Sequence, residues 1–73
     1  MDEFLKRIAG ILEVPEVKDT DDLKTFEQWD SLSVLSVIAM VDADHGVNLK
    51  AADLASIKSA GELWQMVQAR KGT

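Results

Sequence analysis

The fold of this 73-residue chain is decided by residues 30–44, which read DSLSVLSVIAMVDAD. Apolar side chains recur there every three or four positions without strict alternation, which indicates an amphipathic helix instead of a strand. The stretch opens on Asp30 and Ser31, two residue types that cap helix N-termini, and Gly46 follows as a C-terminal stop. We therefore predict a helix from Ser31 to about Asp44. Its apolar face is wider than a single core contact requires.

Upstream of residue 30 we predict a first helix, at about residues 2–13, and a long loop. The apolar side chains at helical spacing are Phe4, Ile8, Ile11 and Leu12. This helix ends before Pro15, because the residue that precedes a proline is pushed out of the α-helical region. The loop over residues 15–30 has little periodicity, and loops of this length in small domains are often functional. The residues predicted to pin it to the core are Leu23, Phe26 and Trp29.

Downstream of residue 46 we predict a short helix near residues 51–57 and a final helix that begins at Ser59. Ser59 and Glu62 have the spacing of a capping box, in which two side chains satisfy two free backbone N–H groups. The complete pattern predicts an all-α fold, a small bundle of three main helices plus one short helix. We expect a single domain over residues 1–73, and Met1 with the short ends favours a free-standing chain.

The charge of the chain is concentrated in one segment. The sequence holds 13 acidic and 8 basic residues, a formal net charge of −5, and residues 13–30 contain seven of the acids against two lysines. An acidic segment argues against nucleic acid as a partner, because a phosphate backbone binds clustered Lys and Arg. The segment suits basic partner surfaces, and a solvated loop that keeps the protein in solution explains the same charge.

The sequence contains no cysteine and no long apolar run. Without disulfides, a core in so small a chain must come from well-packed helices. No stretch approaches the ~20 apolar residues that span a bilayer, and no signal-peptide pattern follows Met1. We therefore expect a cytoplasmic monomer that binds neither membrane nor nucleic acid.

Three segments give the chain a resemblance to a known family. They are Asp30-Ser31-Leu32 near mid-chain, residues 44–49 (DHGVNL), and residues 57–63 (IKSAGEL), which lead into the final helix. In this arrangement the chain resembles the acyl carrier protein family, including the related peptidyl carrier domains. The tripeptide alone is a weak signal, because Asp-Ser before an apolar helix is also a common cap that needs no modification. Its position between the two flanking segments is more specific.

The resemblance implies that Ser31 carries a covalent 4′-phosphopantetheine arm, which a phosphopantetheinyl transferase transfers from coenzyme A. Asp30 would support installation of the arm, and Leu32 would give an apolar contact beside it. The arm holds an acyl or aminoacyl group as a thioester, so the implied partners are a loading ligase and downstream acyl-transferring enzymes. The carrier itself would not be an enzyme. A helix N-terminus at Ser31 fits the phosphodiester, because free N–H groups and the helix dipole favour an anion there.

The predicted central helix departs from the family pattern, in which several acids meet basic patches on partner enzymes. Here Ser33, Ser36 and Ala43 stand where acids are common, and only Asp42 and Asp44 remain. We therefore predict a carrier dedicated to a specialised biosynthetic pathway. The residues expected to bind partner enzymes are Leu35, Ala39 and Asp42, together with Leu32 and the acidic loop.

Two other classes of function compete with this prediction. A helical interaction module that is never modified would use the wide apolar face of residues 32–41 to bind a partner. A small enzyme lacks support, because the only histidine, His45, lies about four turns from Ser31 along one helix and no metal-ligand cluster is present in the sequence. We expect His45 to cap or pack, and we expect no metal. The apolar groups expected to form a dry core instead of a pocket for a sequestered chain are Phe26, Ile38, Val41, Ile57, Ala60 and Trp64.

Overall fold

The computed structural model describes residues 1–71, which form four α-helices. These are α1 (Asp2–Leu12), α2 (Ser31–His45), α3 (Ala51–Ser56) and α4 (Ala60–Lys71). A single 3-10 turn, Leu23–Thr25, lies in the long connection between α1 and α2. The described part of the chain contains no strand, so the predicted all-α bundle of three main helices plus one short helix is confirmed.

The core forms where α1, α2 and α4 meet, with α3 and the long connection closing it. Each long helix contributes buried residues three or four positions apart, because that spacing brings side chains to one face. The fully buried large side chains are Ile8, Leu12, Leu23, Val37, Val41, Leu54, Leu63 and Val67. Leu23 is 1% exposed, and the half-buried Phe26 and Trp29 pack against the same cluster. The prediction that these three residues pin the loop to the core is therefore confirmed.

α1 ends one residue earlier than predicted, on a left-handed residue. Glu13 has φ 57° and ψ 41°, and the N–H of Val14 donates to the carbonyl of Ala9 at 3.0 Å. The N–H of Glu13 donates to Gly10 at 3.3 Å, which completes a Schellman motif. The proline at position 15 therefore follows a helix that has already stopped.

The other predicted helix boundaries also hold to within one residue. α2 extends to His45 and stops at Gly46, whose φ of 66° is accessible to glycine without the clash that a Cβ would cause. α3 ends at Ser56, one residue before the predicted end. α4 begins at Ala60, with Ser59 just outside it.

The predicted capping box at the start of α4 is half correct. The Ser59 hydroxyl accepts from the N–H of Glu62 at 3.2 Å, as expected. The Glu62 carboxylate accepts from the N–H of Lys58 at 3.1 Å and makes no bond with the N–H of Ser59. The difference arises because the chain enters α4 extended at Ile57, which brings the N–H of Lys58 within reach.

The acidic loop is bonded to the start of α4 through its backbone. The N–H of Ala60 donates to the carbonyl of Asp21 at 2.9 Å, and the N–H of Gly61 donates to Asp19 at 2.8 Å. A Cβ on Gly61 would lie 3.0 Å from the Asp19 carbonyl oxygen, so the absence of a side chain permits this approach. The loop between α1 and α2 thus closes over the N-terminus of α4.

An exposed ion pair joins α3 to the C-terminal turn of α4. The two terminal guanidinium nitrogens of Arg70, Nη1 and Nη2, each donate to one oxygen of the Asp53 carboxylate at 2.9 Å. The same carboxylate accepts from the N–H of Lys50 at 2.9 Å, which caps α3. The hydrogen bonds from Arg70 and then from Lys50 hold the pKa of the Asp53 carboxyl below its ordinary value of 3.8.

Candidate functional site

Ser31 is the first residue of α2, and its side chain is exposed. The first backbone N–H groups of an α-helix have no partner within the helix. They give the N-terminus a partial positive charge that favours an anion. The hydroxyl of Ser31 therefore stands at a position where a phosphate group bonded to it would be stabilised.

Asp30 caps the helix that Ser31 begins. Its Oδ1 accepts from the N–H of Ser33 at 2.9 Å, and its carbonyl accepts from the N–H of Val34 at 3.0 Å. The residue is extended, with φ −145° and ψ −173°, and it is exposed. The structure thus supports a capping role directly, and the second carboxylate oxygen remains open to solvent or a partner.

Ser33 has a role that the sequence pattern did not indicate. It is 7% exposed, and its hydroxyl donates to the carbonyl of Gln28 at 2.6 Å. This bond ties the first turn of α2 to the end of the acidic loop, and it orients the Asp30-Ser31 corner. An acid at position 33 would point inward, so the serine there says nothing about charge on the surface that partners meet. The only signal in the sequence was that Ser33 follows the capping residue Asp30 by three positions. That spacing does not distinguish a buried hydroxyl from an exposed one.

The apolar residues predicted to contact partners lie together on the outer face of α2. Leu32 and Leu35 are the most exposed large apolar side chains, at 73% and 60%, and Ala39 and Asp42 are exposed as well. Ser31, Leu35 and Asp42 are separated by four and seven residues, which places them along one side of the helix. The structure therefore brings the predicted partner residues onto one surface with the candidate attachment serine.

Two carboxylates of the acidic loop, those of Asp21 and Asp22, are engaged in local structure. The carboxylate of Asp21 accepts from the N–H of Lys18 at 2.9 Å. The carboxylate of Asp22 accepts from the N–H of Lys24 at 3.0 Å and caps the 3-10 turn. Exposed acids remain at Glu16, Glu27 and other positions. Some carboxylates of the loop therefore stabilise its own conformation, and the exposed ones are accessible to a partner.

His45 packs in an aromatic cluster at the other end of α2. Its ring centroid lies 5.8 Å from that of Phe4 and 5.8 Å from that of Trp64, and Phe4 and Trp64 are 5.1 Å apart. The Nδ1 atom is buried and has no hydrogen-bond partner among the residues described. The predicted packing role of His45 is confirmed, and three helices meet through its ring.

The residues considered for a lipid pocket divide between core and rim. Val41, Ile57 and Ala60 are at most 3% exposed within the packed core, while Phe26, Ile38 and Trp64 are half-buried at its edge. Within residues 1–71 there is no group of three or more side chains that could hold a metal ion. In the same range no helix is long and apolar enough to cross a membrane.

The site thus consists of an exposed serine at the capped start of a helix, beside an exposed apolar face. The family model described as the phosphopantetheine attachment site matches residues 2–67 of this chain. The chain belongs to that family of carrier proteins and carrier domains, whose members bear covalent 4′-phosphopantetheine and perform no catalysis themselves. No curated protein and no solved structure matches the chain.

Proposed function

We propose that this protein carries an acyl or aminoacyl group as a thioester on a 4′-phosphopantetheine arm attached to the Oγ of Ser31. The observation that supports this assignment best is the state of the five serine hydroxyls of the chain. The hydroxyls of Ser33 and Ser56 donate to backbone carbonyls at 2.6 and 2.8 Å, and that of Ser59 accepts from a helix N–H. Ser31 and Ser36 remain, and of these Ser31 alone lies at a helix N-terminus.

The residues beside Ser31 have distinct roles in this proposal. Asp30 fixes the start of the helix through its cap and offers its exposed carboxylate to the phosphopantetheinyl transferase. Leu32, which is 73% exposed, gives an apolar contact to that enzyme or to the arm. The arm supplies the thiol that holds the acyl group, and the protein supplies its position, so transfer to an enzyme benefits from proximity.

Partner enzymes bind the outer face of α2 in this proposal. That face consists of Leu32, Leu35, Ala39 and Asp42, and it serves the transferase, a loading ligase and downstream acyl-transferring enzymes. Leu32 and Leu35 lie one helical turn apart and are 73% and 60% exposed, and contiguous exposed apolar surface often marks an interaction site. We propose that the chain acts as a cytoplasmic monomer, with residues 1–73 as one domain.

A dedicated pathway is supported by how few free acids α2 presents. Asp44 accepts from the Nε of Arg7 at 3.0 Å, so Asp42 is the one carboxylate within α2 that forms no ion pair in the described chain. A basic patch that recognises a row of acids would find little charge here. Equal turnover by the enzymes of a general fatty-acid synthase, measured beside their own carrier, would contradict the dedicated pathway.

Intact-protein mass spectrometry tests the attachment site. We expect wild type, incubated with coenzyme A and a broad-range phosphopantetheinyl transferase, to gain one phosphopantetheine. Ser31→Ala should gain none, and Ser36→Ala, the matched control at the other unbonded hydroxyl, should gain one at the wild-type rate. No gain in wild type would favour the alternative function, an unmodified interaction module that uses the same exposed leucines.

A further inference from the structure

Ser33 is the one buried polar or charged residue in the described part of the chain, at 7% exposure. It makes two hydrogen bonds across the start of α2. Its N–H donates to the Asp30 carboxylate at 2.9 Å, and its hydroxyl donates to the carbonyl of Gln28 at 2.6 Å. Ser31 and Leu32, which lie between Asp30 and Ser33, are both exposed. A buried side chain therefore closes a short loop whose exposed part carries the proposed attachment serine.

The residue that accepts from the Ser33 hydroxyl is itself held to the core. Gln28 lies in a turn that is closed by the N–H of Trp29, which donates to the carbonyl of Phe26 at 3.0 Å. The side chains of Phe26 and Trp29 pack against the core cluster. The Ser33 hydroxyl therefore joins α2 to a turn that has a fixed place, and the chain between them, which contains Ser31, is held at both ends.

The residue type at position 33 departs from the family pattern, in which acids are common there. An ionised carboxylate accepts hydrogen bonds and cannot donate one. An aspartate at position 33 would lose the bond to the carbonyl of Gln28, and it would place a negative charge in a buried position beside that oxygen. The serine hydroxyl therefore fixes this corner of the chain in a way that an acid cannot.

A fixed corner favours binding to the enzyme that modifies it. Attachment bonds the Oγ of Ser31 to the phosphorus nearest pantetheine in coenzyme A. The diphosphate bond breaks, the adenosine bisphosphate part leaves, and the serine proton passes to water or to a base of the enzyme. If the corner adopted several arrangements, only the competent fraction would bind, and the apparent dissociation constant would rise by the inverse of that fraction. The chemical step within the complex would be unchanged.

We propose that Ser33 is a positioning residue for the attachment of phosphopantetheine at Ser31, through its hydrogen bond to the carbonyl of Gln28. Because its side chain is buried, Ser33 acts on Ser31 through the backbone and not by contact with the transferase. This inference rests on the proposed function, since the arm must be attached at Ser31. Recognition by the transferase then depends on the conformation of residues 28–33 as well as on their side chains.

Steady-state loading by a broad-range phosphopantetheinyl transferase, followed by intact-protein mass spectrometry, tests the positioning role. We expect Ser33→Ala to raise KM for the carrier about tenfold, as for a corner that is competent about a tenth of the time, while kcat stays within about twofold. Ser56→Ala is the matched control and should keep the wild-type KM, because its hydroxyl also donates to a backbone carbonyl, at 2.8 Å, on another helix. An unchanged KM in Ser33→Ala, or a loss confined to kcat, would overturn the positioning role.

Two aspartate variants separate conformation from charge. Ser33→Asp and Ser36→Asp each add one negative charge to α2, but Ser36 is exposed and its hydroxyl makes no hydrogen bond within residues 1–71. If charge alone mattered, both aspartates would improve binding to an enzyme that recognises acids. We expect Ser33→Asp to raise KM at least as much as Ser33→Ala, and Ser36→Asp to leave KM equal or lower. A lower KM in Ser33→Asp would overturn the inference.

Backbone dynamics give a readout that does not depend on the enzyme. In wild type without the arm, we expect amide order parameters near the rigid value of about 0.85 at Ser31 and Leu32. Ser33→Ala should speed hydrogen exchange of the Trp29 amide about tenfold, because the turn opens locally, while the buried Val67 in α4 keeps its protection. A corner that is already mobile in wild type would overturn the inference, even if Ser33→Ala failed to fold.

The proposed function and the inference fail in different ways. Wild type that gains no phosphopantetheine would overturn both. Wild type that loads at Ser31, with the same KM as Ser33→Ala, would overturn the positioning role and leave the carrier function intact. Equal exchange of the Trp29 amide in the two proteins would do the same.

Discussion

Two helices of this carrier start beside a serine, and their N-termini differ in what covers them. At α4 the first N–H groups are occupied: Ala60 and Gly61 donate to the carbonyls of Asp21 and Asp19, and the next N–H is capped by the Ser59 hydroxyl. The acidic loop thus lies directly against this end, and Ser59 is half-buried. The hydroxyl of Ser59 therefore has a structural role as a helix cap.

At α2 the same loop ends beside the helix and leaves the N-terminus of the helix uncovered. The N–H of Ser33 is capped by Asp30, while the N–H groups of Ser31 and Leu32 have no partner in the described chain. Ser31 is exposed. The contrast shows that the serine at the start of α2 stays exposed because the preceding loop is anchored elsewhere, at the start of α4.

The largest change in stability is expected from a substitution that separates the acidic loop from the N-terminus of α4. Gly61→Ala would place a Cβ 3.0 Å from the Asp19 carbonyl oxygen, and overpacking against backbone costs about 1–3 kcal/mol. Urea denaturation should show this loss in the free energy of unfolding. Gly10→Ala, a helical glycine with open space around it, should instead gain about 0.5–1 kcal/mol. Equal effects of the two variants would show that the contact between loop and α4 is unimportant.

The open end is expected to depend on its cap. Asp30→Ala should lower the free energy of unfolding by about 1 kcal/mol, and Asp30→Asn by a few tenths, because Asn caps nearly as well. Both variants lose the carboxylate. If the rate of phosphopantetheine loading falls equally in both, the transferase requires the carboxylate of Asp30. Loading that is normal in Asp30→Asn and slow only in Asp30→Ala would restrict Asp30 to a capping role.

The C-termini of α1 and α2 also differ, and the expected effects on stability are smaller. α2 stops on Gly46 and α1 stops on Glu13, both left-handed. A residue with a Cβ is strained in this region, so Glu13→Gly should raise the free energy of unfolding by about 0.5–1 kcal/mol. Gly46→Ala should lower it by a similar amount, as measured by thermal or urea unfolding. A loss of stability in Glu13→Gly would contradict the left-handed conformation of Glu13.

The smallest effect concerns the far end of α4, where Arg70 binds Asp53. Because the pKa of Asp53 is lowered in the folded protein, the pair contributes stability above the ordinary carboxyl pKa of 3.8. That contribution is lost as the pH falls below this value through the folded pKa. Asp53→Asn should therefore weaken the acid dependence of stability below about pH 4, with little loading change. An unaltered pH profile would show that the exposed pair is fully screened.

Much of the fold was predictable because helix periodicity depends on local apolar spacing. Residues 30–44 specified α2, and each helix boundary that was predicted fell within one residue of its observed position. The sequence did not predict which of the three serines in α2 is buried. Ser31, Ser33 and Ser36 share a residue type, yet only Ser33 is buried, because its exposure depends on where the carbonyl of Gln28 arrives.

The contact between the loop and α4 was also beyond sequence reasoning. It uses the carbonyl oxygens of Asp19 and Asp21, and a backbone carbonyl is the same for every residue type. The carboxylates of that loop drew attention as a partner surface, while its peptide groups hold the fold together. Gly61 carried the one available signal, a residue without a side chain at a point of close approach.

The placement of the two tryptophans gives this carrier a pair of optical reporters. Trp29 lies two residues before Ser31, and Trp64 lies at the opposite end of α2, in the cluster with Phe4 and His45. The chain contains no tyrosine, so its near-ultraviolet fluorescence comes from these two indoles. Trp64→Phe leaves an emission signal that senses events near Ser31, and Trp29→Phe leaves one that senses the aromatic cluster. Arm loading and unfolding can therefore be followed separately, by light, in the unlabelled protein.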